Sequence, residues 1–290
     1  RRGIELRERI SDAVSRAVAK AERDGPVGIC LSGGIDSSTV AAFAPELPLF
    51  TGYYQGELFD ERPWARLVGE GRDWRTIEIR PADFVRVFDA VREVLGGLEC
   101  GPGAVGQYVV AEVAAEAGIR TLLTGEGGDE LFGGYARQHL AAGIPPPDGY
   151  DDYKLPEGYP ETLRGALELE WDALRTLCAV DEAIAGAHGI RVVPPILDPW
   201  VVAHVFQQPS GHRIGKGLLK AAMRGVVPDA ILDRIDKRGF PAPFVAWAQD
   251  DPVRGFVEAR IGYVPDAEKP WDRGWWLDLL DPEPAETLAA

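Results

Sequence analysis

The chain has 290 residues, and 46% of them are hydrophobic, which is enough for one large domain or two closely packed lobes. Its 46 acidic and 31 basic residues give a formal net charge of −15. A surface this acidic repels a phosphate backbone, so we expect no nucleic-acid partner. A single nucleotide is still compatible with this charge, because a local group of backbone N–H donors and a metal ion can outweigh a distant field.

The three cysteines, Cys30, Cys100 and Cys178, are far apart and form no C-x-x-C pair. The sequence therefore predicts neither a zinc site nor a redox motif. Free thiols in a reducing compartment are the simpler interpretation, so we expect a cytoplasmic protein. No apolar run approaches the ~20 residues that a membrane-spanning helix needs, and no signal peptide is visible. We therefore expect no membrane partner.

Helices and strands alternate in the predicted structure of the first half. Helical spacing of apolar residues predicts helices at 4–23, 39–44, 61–68, 83–95 and 105–117. Short apolar runs predict strands at 27–31, 48–54, 75–80 and 119–124. This alternation is typical of an α/β fold with a parallel sheet and helices on both faces. Ligands bind such sheets beyond the carboxyl ends of the strands.

The pattern changes after residue 142. Residues 143–160 contain five prolines and three glycines, which predicts a long surface loop, either a lid or a plain connector. Helices are predicted at 161–187, 198–206, 214–224, 243–250 and 270–280. We therefore expect an α/β core over 1–142, a flexible loop over 143–160 and a mainly helical C-terminal lobe over 161–290, packed on the core as a single domain. Tryptophans 271, 275 and 276 are typical of core packing or a subunit contact, which leaves a homo-oligomer open.

Residues 32–38 read S-G-G-I-D-S-S between a predicted strand and a predicted helix. Gly33 and Gly34 allow the backbone to approach an oxyanion closely, and the N–H groups at the helix start can donate to phosphate oxygens. Asp36 would repel phosphate unless Mg²⁺ bridges the two. The candidate hydroxyl donors are Ser32, Ser37 and Ser38. The lysine and spacing of a Walker A motif are missing.

This segment resembles the S-G-G-x-D-S loop of the ATP pyrophosphatase (PP-loop) superfamily, whose members cleave ATP between the α and β phosphates. The resemblance implies an adenine nucleotide alpha hydrolase-like fold. The alternative is a glycine-rich turn that binds nothing.

Residues 124–135 read T-G-E-G-G-D-E-L-F-G-G-Y and resemble the G-E-G-x-D-E-x-x-x-G-Y signature of asparagine synthetases. Three further segments are similar to that family: P-I-L-D at 195–198, the lysines of a K-x-x-L-R helix at 216 and 220, and D-K-R-G-F at 236–240. The resemblance covers the synthetase domain, from about residue 5 to about residue 250.

The resemblance implies a role for each matching residue. Asp36 and Asp129 hold Mg²⁺ on ATP, which agrees with the preference of Mg²⁺ for one or two carboxylates plus phosphates. Glu126 orients or deprotonates the incoming amine; a carboxylate that caps local N–H groups is the alternative. Lys237, and second to it Lys216, stabilises the charge of the leaving pyrophosphate. The remaining implied nucleotide contacts are Leu31, Gly52 and Gly125; for Leu31 and Gly52 a plain core role is equally open.

The chain departs from the family in two places. Where asparagine synthetases read E-x-R-x-P-F-L-D, residues 191–198 read R-V-V-P-P-I-L-D, which places Arg191 and Val193 where the family has glutamate and arginine. We expect this exchange to remove an ion pair near the acyl-acceptor side, which puts aspartate in doubt as the substrate. In addition, the loop at residue 32 comes too early for a glutaminase domain to precede it in this chain. Free ammonia, another amine, a separate glutaminase subunit or removal of that domain would account for this.

We therefore expect an ATP-dependent amide-forming ligase that activates a small-molecule carboxylate and transfers the acyl group to ammonia or another amine, in specialised (secondary) metabolism. The alternative enzymes are lactam or lasso-peptide cyclases, which resemble the same family; a lasso-peptide cyclase would take a peptide substrate. Glu126 favours ordinary amide chemistry, since the lactam-forming relatives carry a tyrosine there. A non-catalytic nucleotide-binding subunit is a further alternative, but a degenerate copy should have lost one of Asp36, Glu126, Asp129 and Lys237.

Overall fold

The computed structural model describes residues 2–56, 60–98, 100–145, 154–235, 242–267 and 273–280. Within these ranges, five parallel strands form one sheet in the order β3-β2-β1-β4-β5. The strands are β1 (Val27–Cys30), β2 (Leu49–Tyr53), β3 (Trp74–Glu78), β4 (Thr121–Leu123) and β5 (Arg191–Val193). The fold class predicted from the sequence is confirmed.

The helices of the described ranges fall into two groups. Those that alternate with the strands are α1 (Arg2–Ala21), α2 (Ile35–Ala42), α3 (Arg62–Gly69), α4 (Pro81–Leu95), α5 (Gly103–Glu116), α6 (Gly128–Phe132), α7 (Ala136–Ala141) and α8 (Leu163–Gly186). Those after β5 are α9 (Pro199–Phe206), α10 (Gly217–Met223), α11 (Asp229–Leu232), α12 (Phe244–Trp247), α13 (Val253–Ile261) and α14 (Arg273–Leu280). None of these helices is both long and apolar enough to cross a membrane.

Two apolar cores cover the two faces of the sheet. On one face α4, α5 and α8 bury side chains such as Phe84, Phe88 and Val110 together with Trp276 of α14. On the other face α1 buries Leu6, Ile10 and Val14 against residues of α9 and α10. Burial on both faces explains why β1 and β4 are short, almost wholly apolar runs.

The strand order determines where a site can form. The chain passes from β1 to β2 on one side, and β4 then pairs with the other side of β1. Connections therefore leave the carboxyl ends of β1 and β4 in opposite directions and open a crevice between them. Both glycine-rich segments of the sequence begin at this crevice.

Several predicted elements differ from the structure. The short strand β5 was not predicted, because its residues read as part of a motif. The helix predicted at 214–224 is divided: a 3₁₀ turn (Ile214–Lys216) precedes α10, and Lys216 has a φ of 60°. The helix predicted at 243–250 is shorter, since α12 ends at Trp247.

The predicted loop at 143–160 lies partly outside the described residues, since only 143–145 and 154–160 are described, and these contain neither helix nor strand. Its role as a lid or connector stays a prediction, as does the division into two lobes. Trp275 and Trp276 are buried in the core, which agrees with core packing, one of the two interpretations given above. Trp271 lies outside the described residues.

Candidate active site

Two loops meet at the crevice. The first glycine loop, residues 32–38, follows β1, and the second glycine loop, residues 124–135, follows β4. A Cβ atom added to Gly125 would lie 2.8 Å from the carbonyl carbon of Asp36, and one added to Gly128 would overlap the Asp36 carboxylate. Only residues without a side chain allow this approach, so the two loops are in direct backbone contact.

The first glycine loop is shaped by its own backbone and hydroxyls. Gly33 has a φ of +75°, and a Cβ there would lie 2.8 Å from the backbone nitrogen of Ala65 in α3. Gly34 is the N-cap of α2 and provides no side-chain cap. The N–H groups of the first turn of α2 therefore remain available to an anion in the crevice.

Three serines support this turn. The Ser37 hydroxyl accepts a hydrogen bond from the Ser32 backbone N–H at 3.1 Å, lies 3.0 Å from the Ser32 hydroxyl and donates to the Gly34 carbonyl at 3.3 Å. The buried Ser38 hydroxyl has no hydrogen-bond partner in the described part of the chain. Ser32 and Ser37 thus hold the loop closed and face the crevice, whereas Ser38 lies behind it.

A lysine joins the two loops. The Lys216 ammonium lies 2.5 Å from Asp36 Oδ2 and 2.8 Å from Asp129 Oδ1. Burial alone would lower the pKa of this lysine, but Asp129 and Asp36 more than offset that effect, so its pKa is above the ordinary value. The ammonium therefore stays charged at neutral pH. Gly134 permits this cluster, because a Cβ there would overlap both Asp129 and the Lys216 side chain.

A cavity of about 350 Å³ opens beside this cluster, at the carboxyl ends of β1, β2, β4 and β5. Its polar end is defined here as the part formed by the two glycine loops, which contribute Ser32, Asp36, Ser37, Thr124, Gly125, Glu126, Asp129 and Tyr135. Its apolar end is defined as the part formed by β1, β4, β5, α5 and α8, which contribute Cys30, Val110, Ala111, Leu122, Leu177, Ile184, Ala185 and Val192, together with Gln107 and Asp181. Leu31 and Gly52 lie on the wall formed by β1 and β2.

Most predicted site residues are brought together here. Eight line the cavity: Leu31, Ser32, Asp36, Ser37, Gly52, Gly125, Glu126 and Asp129. Gly33, Gly34 and Ser38 do not line it; they shape the loop behind. Lys216 contacts both metal-candidate aspartates, and Lys237 lies outside the described residues. The binding roles of these residues stay predictions.

Arg191 lies away from the site. It begins β5 opposite Thr121, at the start of β4, and its guanidinium lies 2.8 Å from Asp24 Oδ2. The expectation that residue 191 lies near the acyl-acceptor side is therefore wrong, because the strand direction places it at the amino-terminal ends of β4 and β5, whereas the cavity lies at their carboxyl ends. Val193 does end at the crevice, where its carbonyl accepts a hydrogen bond from the Thr124 backbone N–H at 3.0 Å.

Glu130 is a buried carboxyl of the second glycine loop, beside the cavity residues Asp129 and Tyr135, that the sequence analysis did not single out. It is buried in α6, accepts a hydrogen bond from the Tyr135 hydroxyl and lies near Glu126 and Asp129. Burial raises its pKa to about 7, the two neighbouring carboxylates add to the rise, and the Tyr135 hydrogen bond opposes it. Its place in the acidic motif was the available signal, but the motif could not show that this carboxyl is buried.

Asp181 and Gln107 were also missed. Gln107 Nε2 of α5 donates to Asp181 Oδ1 of α8 at 2.9 Å. Burial raises the pKa of Asp181 to about 6; Glu182 adds to the rise and the Gln107 hydrogen bond opposes it. A signal existed, because Leu177, Asp181 and Ile184 share one face of a helix. An acidic residue in an apolar helical stripe is uncommon in a plain core.

The residues present fit a magnesium ion held together with phosphate oxygens. Asp36 Oδ1 is buried and has no hydrogen-bond partner in the described ranges, and a buried acceptor of this kind calls for one. Asp129, across the crevice, supplies a second hard carboxylate at the cavity wall. Among the described residues no group of three or more His, Cys, Asp or Glu could hold a metal by itself. Mg²⁺ usually takes one or two carboxylates and completes its ligands with phosphates and water.

Comparison with known proteins identifies the family of the chain. The chain is 27% identical to a Mycobacterium tuberculosis protein with the provisional name glutamine-hydrolyzing asparagine synthetase, over 88% of this chain and 51% of that protein. A similarly named Methanocaldococcus jannaschii protein is 28% identical over 73% of this chain and 38% of its own length. The amidase chry2 of Gibberella zeae is 31% identical over 45% of this chain and 22% of its own length.

This chain thus spans about half the length of the mycobacterial relative and less of the other two. The sequence profile described as asparagine synthase matches residues 5–167 and 159–281, which is nearly the whole chain. The chain therefore belongs to the asparagine synthase family.

Proposed function

We propose that this protein is an ATP-dependent amide-forming ligase that adenylates a small-molecule carboxylate, releases pyrophosphate, and transfers the acyl group to ammonia or another amine with release of AMP. The observation that carries the proposal is the cluster of Asp36, Asp129 and Lys216 at the contact of the two glycine loops. Membership of the asparagine synthase family supports ligase chemistry in general.

The first glycine loop suits the triphosphate. Gly34 leaves the first turn of α2 uncapped, so its N–H groups can donate to phosphate oxygens and the helix dipole favours the negative charge. Ser32 and Ser37 add hydroxyls at the cavity wall. Because these donors are fixed by the contact with Gly125, they need no rearrangement when charge develops on the leaving group.

Asp36 and Asp129 would hold Mg²⁺, which would neutralise charge on the phosphates as the anhydride bond breaks. Lys216 keeps the two carboxylates together when no other cation is present, since its ammonium contacts both. Its raised pKa keeps this positive charge throughout the neutral range.

Lys237 is proposed to stabilise the pyrophosphate charge. The described chain before it, which ends at residue 235, is anchored beside the first glycine loop: Arg234 Nη2 donates to Glu61 Oε1 at 2.8 Å. The carbonyl of that same glutamate lies 3.1 Å from a Cβ placed on Gly33. The buried Arg234–Glu61 pair supports this proposal, because it anchors the last described residues before Lys237 beside the first glycine loop.

Glu126 is proposed to orient the amine or accept its proton. It lines the same cavity as Asp36 and Asp129, so an amine bound beside it can reach an activated carboxyl group. General-base catalysis by a carboxylate in such a place typically contributes 10²–10⁴-fold, by order of magnitude.

The decisive assay is exchange of labelled pyrophosphate into ATP with Mg²⁺ and a panel of carboxylic acids. We expect at least one acid to drive exchange, and expect Asp36→Asn and Asp129→Asn each to abolish it. Asp73→Asn, which removes an exposed carboxylate that contacts Arg75, is the charge-matched control and should exchange at the parent rate. Exchange at the parent rate in either site variant would disprove the metal assignment.

The same reactions separate the alternative functions. Once an acid is found, supplying ammonia, small amines or a peptide carrying an internal amine shows which acceptor releases AMP. A lactam or lasso-peptide cyclase would release it without an external amine. A protein that binds ATP without exchange for any acid would be the non-catalytic nucleotide-binding subunit.

A further inference from the structure

The apolar end of the cavity contains one acidic side chain, Asp181. Its neighbours on the cavity wall are apolar: Val110, Ala111, Leu122, Leu177, Ile184, Ala185 and Val192. A carboxylate loses hydration in such surroundings and needs a compensating partner. The proposed adenylation chemistry uses the opposite, polar end, so it leaves this carboxylate without a role.

Asp181 is held in one orientation. Gln107 Nε2 donates to its Oδ1 at 2.9 Å, which fixes a side chain of α8 against α5. No Lys, Arg or His side chain of the described ranges forms an ion pair with Asp181. An ionised carboxylate has about four acceptor positions, so Asp181 retains acceptor capacity toward the cavity, and the Gln107 side chain carries an amide oxygen as a further acceptor.

The missing partner is best matched by an ammonium group on an apolar body. A bare metal ion is poorly matched, because a single carboxylate and an amide oxygen provide too few hard ligands in an otherwise apolar wall. A neutral ligand would leave the carboxylate uncompensated. A compact primary ammonium has three donors for Asp181 and Gln107, and an apolar stem would cover residues such as Ile184 and Val110.

We propose that Asp181 and Gln107 form an ammonium-recognition subsite, which selects a substrate carrying a protonated primary amine on an apolar body. This inference rests on the proposed function in one respect: that function defines the two reactants, one of which carries the ammonium group. The ammonium belongs either to the carboxylic acid that is activated or to the acceptor, and the chemistry of recognition is the same for both.

Binding alone tests the subsite without any turnover. The probes are n-butylammonium chloride and its neutral analogue butan-1-ol, titrated calorimetrically into the full chain at about pH 7.5, above the raised pKa of Asp181. We expect the parent protein to prefer the ammonium by at least about tenfold, the range of a charge-assisted hydrogen bond, and Asp181→Asn to lose that preference.

Two further variants control this result. Asp172→Asn removes an exposed carboxylate from the same helix, α8, and should keep the preference. Asp181→Glu keeps the charge and should also keep the preference, shifted toward the shorter n-propylammonium. An unchanged preference in Asp181→Asn, or its loss in Asp181→Glu as well, would overturn the proposal.

Kinetics then identify the reactant. If the ammonium is on the acid, Asp181→Asn raises the KM for that acid in pyrophosphate exchange by about tenfold or more; if it is on the acceptor, exchange is unchanged and the KM for the amine rises. A raised KM for ATP instead would mean that Asp181 contacts the nucleotide, which contradicts the proposal. If no acid drives exchange but the ammonium preference depends on Asp181, the subsite stands and the proposed ligase function fails.

Discussion

Replacing Lys216 by methionine would test whether one ammonium holds the two glycine loops together. Methionine keeps most of the length of the side chain and meets the same backbone strain at a φ of 60°, so the main change is the lost charge. Asp36 and Asp129 would then face each other without the cation that contacts them at 2.5 and 2.8 Å.

The expected loss of stability follows from these distances. At an effective dielectric constant of about 20, each ammonium–carboxylate contact is worth about 6 kcal/mol of Coulomb attraction. Most of that is offset by the cost of removing three charges from water, but removing one partner leaves the others uncompensated. Breaking a buried ion pair in this way typically costs about 3–5 kcal/mol, a large part of the 5–15 kcal/mol typical of a folded domain.

The measurement is the free energy of unfolding in urea, followed by tryptophan fluorescence. Lys220→Met is the matched control: this lysine lies one turn further along α10, and burial together with the nearby Lys216 lowers its pKa, so its removal should cost little. Mg²⁺ should restore part of the stability of Lys216→Met, because a divalent cation can replace the lost ammonium. A loss of less than about 1 kcal/mol would refute the idea that this ammonium joins the loops.

Two further predictions concern the second glycine loop. Gly125→Ala should lower pyrophosphate exchange by about 10²-fold, because its Cβ would displace the backbone near Asp36. The control is Gly186→Ala, whose Cβ meets nothing within 4 Å. Equal exchange rates in the two variants would contradict the prediction. Glu130 has a folded pKa of about 7 against 4.5 in the unfolded chain, so the folded state holds the proton between these values and stability is lost as the pH rises through them. Compared with Glu130→Gln in urea unfolding, the parent should lose up to about 3 kcal/mol between about pH 5 and pH 8; a pH-independent difference would refute the burial argument.

Much of the fold could be predicted from the sequence, because most helices and strands are determined by residues that are close in sequence. The apolar runs that became β1 and β2, and the helical stripe of Phe84, Phe88 and Val91 on α4, are fixed by residues near one another in sequence. β5 was missed because three residues give little periodicity, and its pairing with β4 joins residues that are 70 positions apart. The divided helix was missed although Gly215 offered a signal: Gly215 and Lys216 both have a left-handed backbone, with φ of 63° and 60°, and only the glycine adopts it readily.

The same distinction between local and distant residues separates the site residues that were predicted from those that were not. Residues of the two motifs, such as Asp36 and Glu126, were identified because the residues that form each loop are consecutive in the sequence. The partner of Asp36 was not: Lys216 lies 180 positions away, and sequence alone suggested that it faces pyrophosphate. Asp181 was missed because its chemistry comes from its surroundings, which form only when α5 and α8 pack together.

The ammonium that joins the two loops also sets the order in which the protein becomes competent during synthesis. Strands β1, β2 and β4 and both glycine loops have left the ribosome long before residue 216. Until that lysine arrives, the nascent sheet carries two opposed carboxylates at its most crowded point, with no protein cation to balance them. A polypeptide that ended before residue 216 would therefore retain both motifs and lack a settled crevice, which makes this lysine as necessary to the site as the motifs themselves.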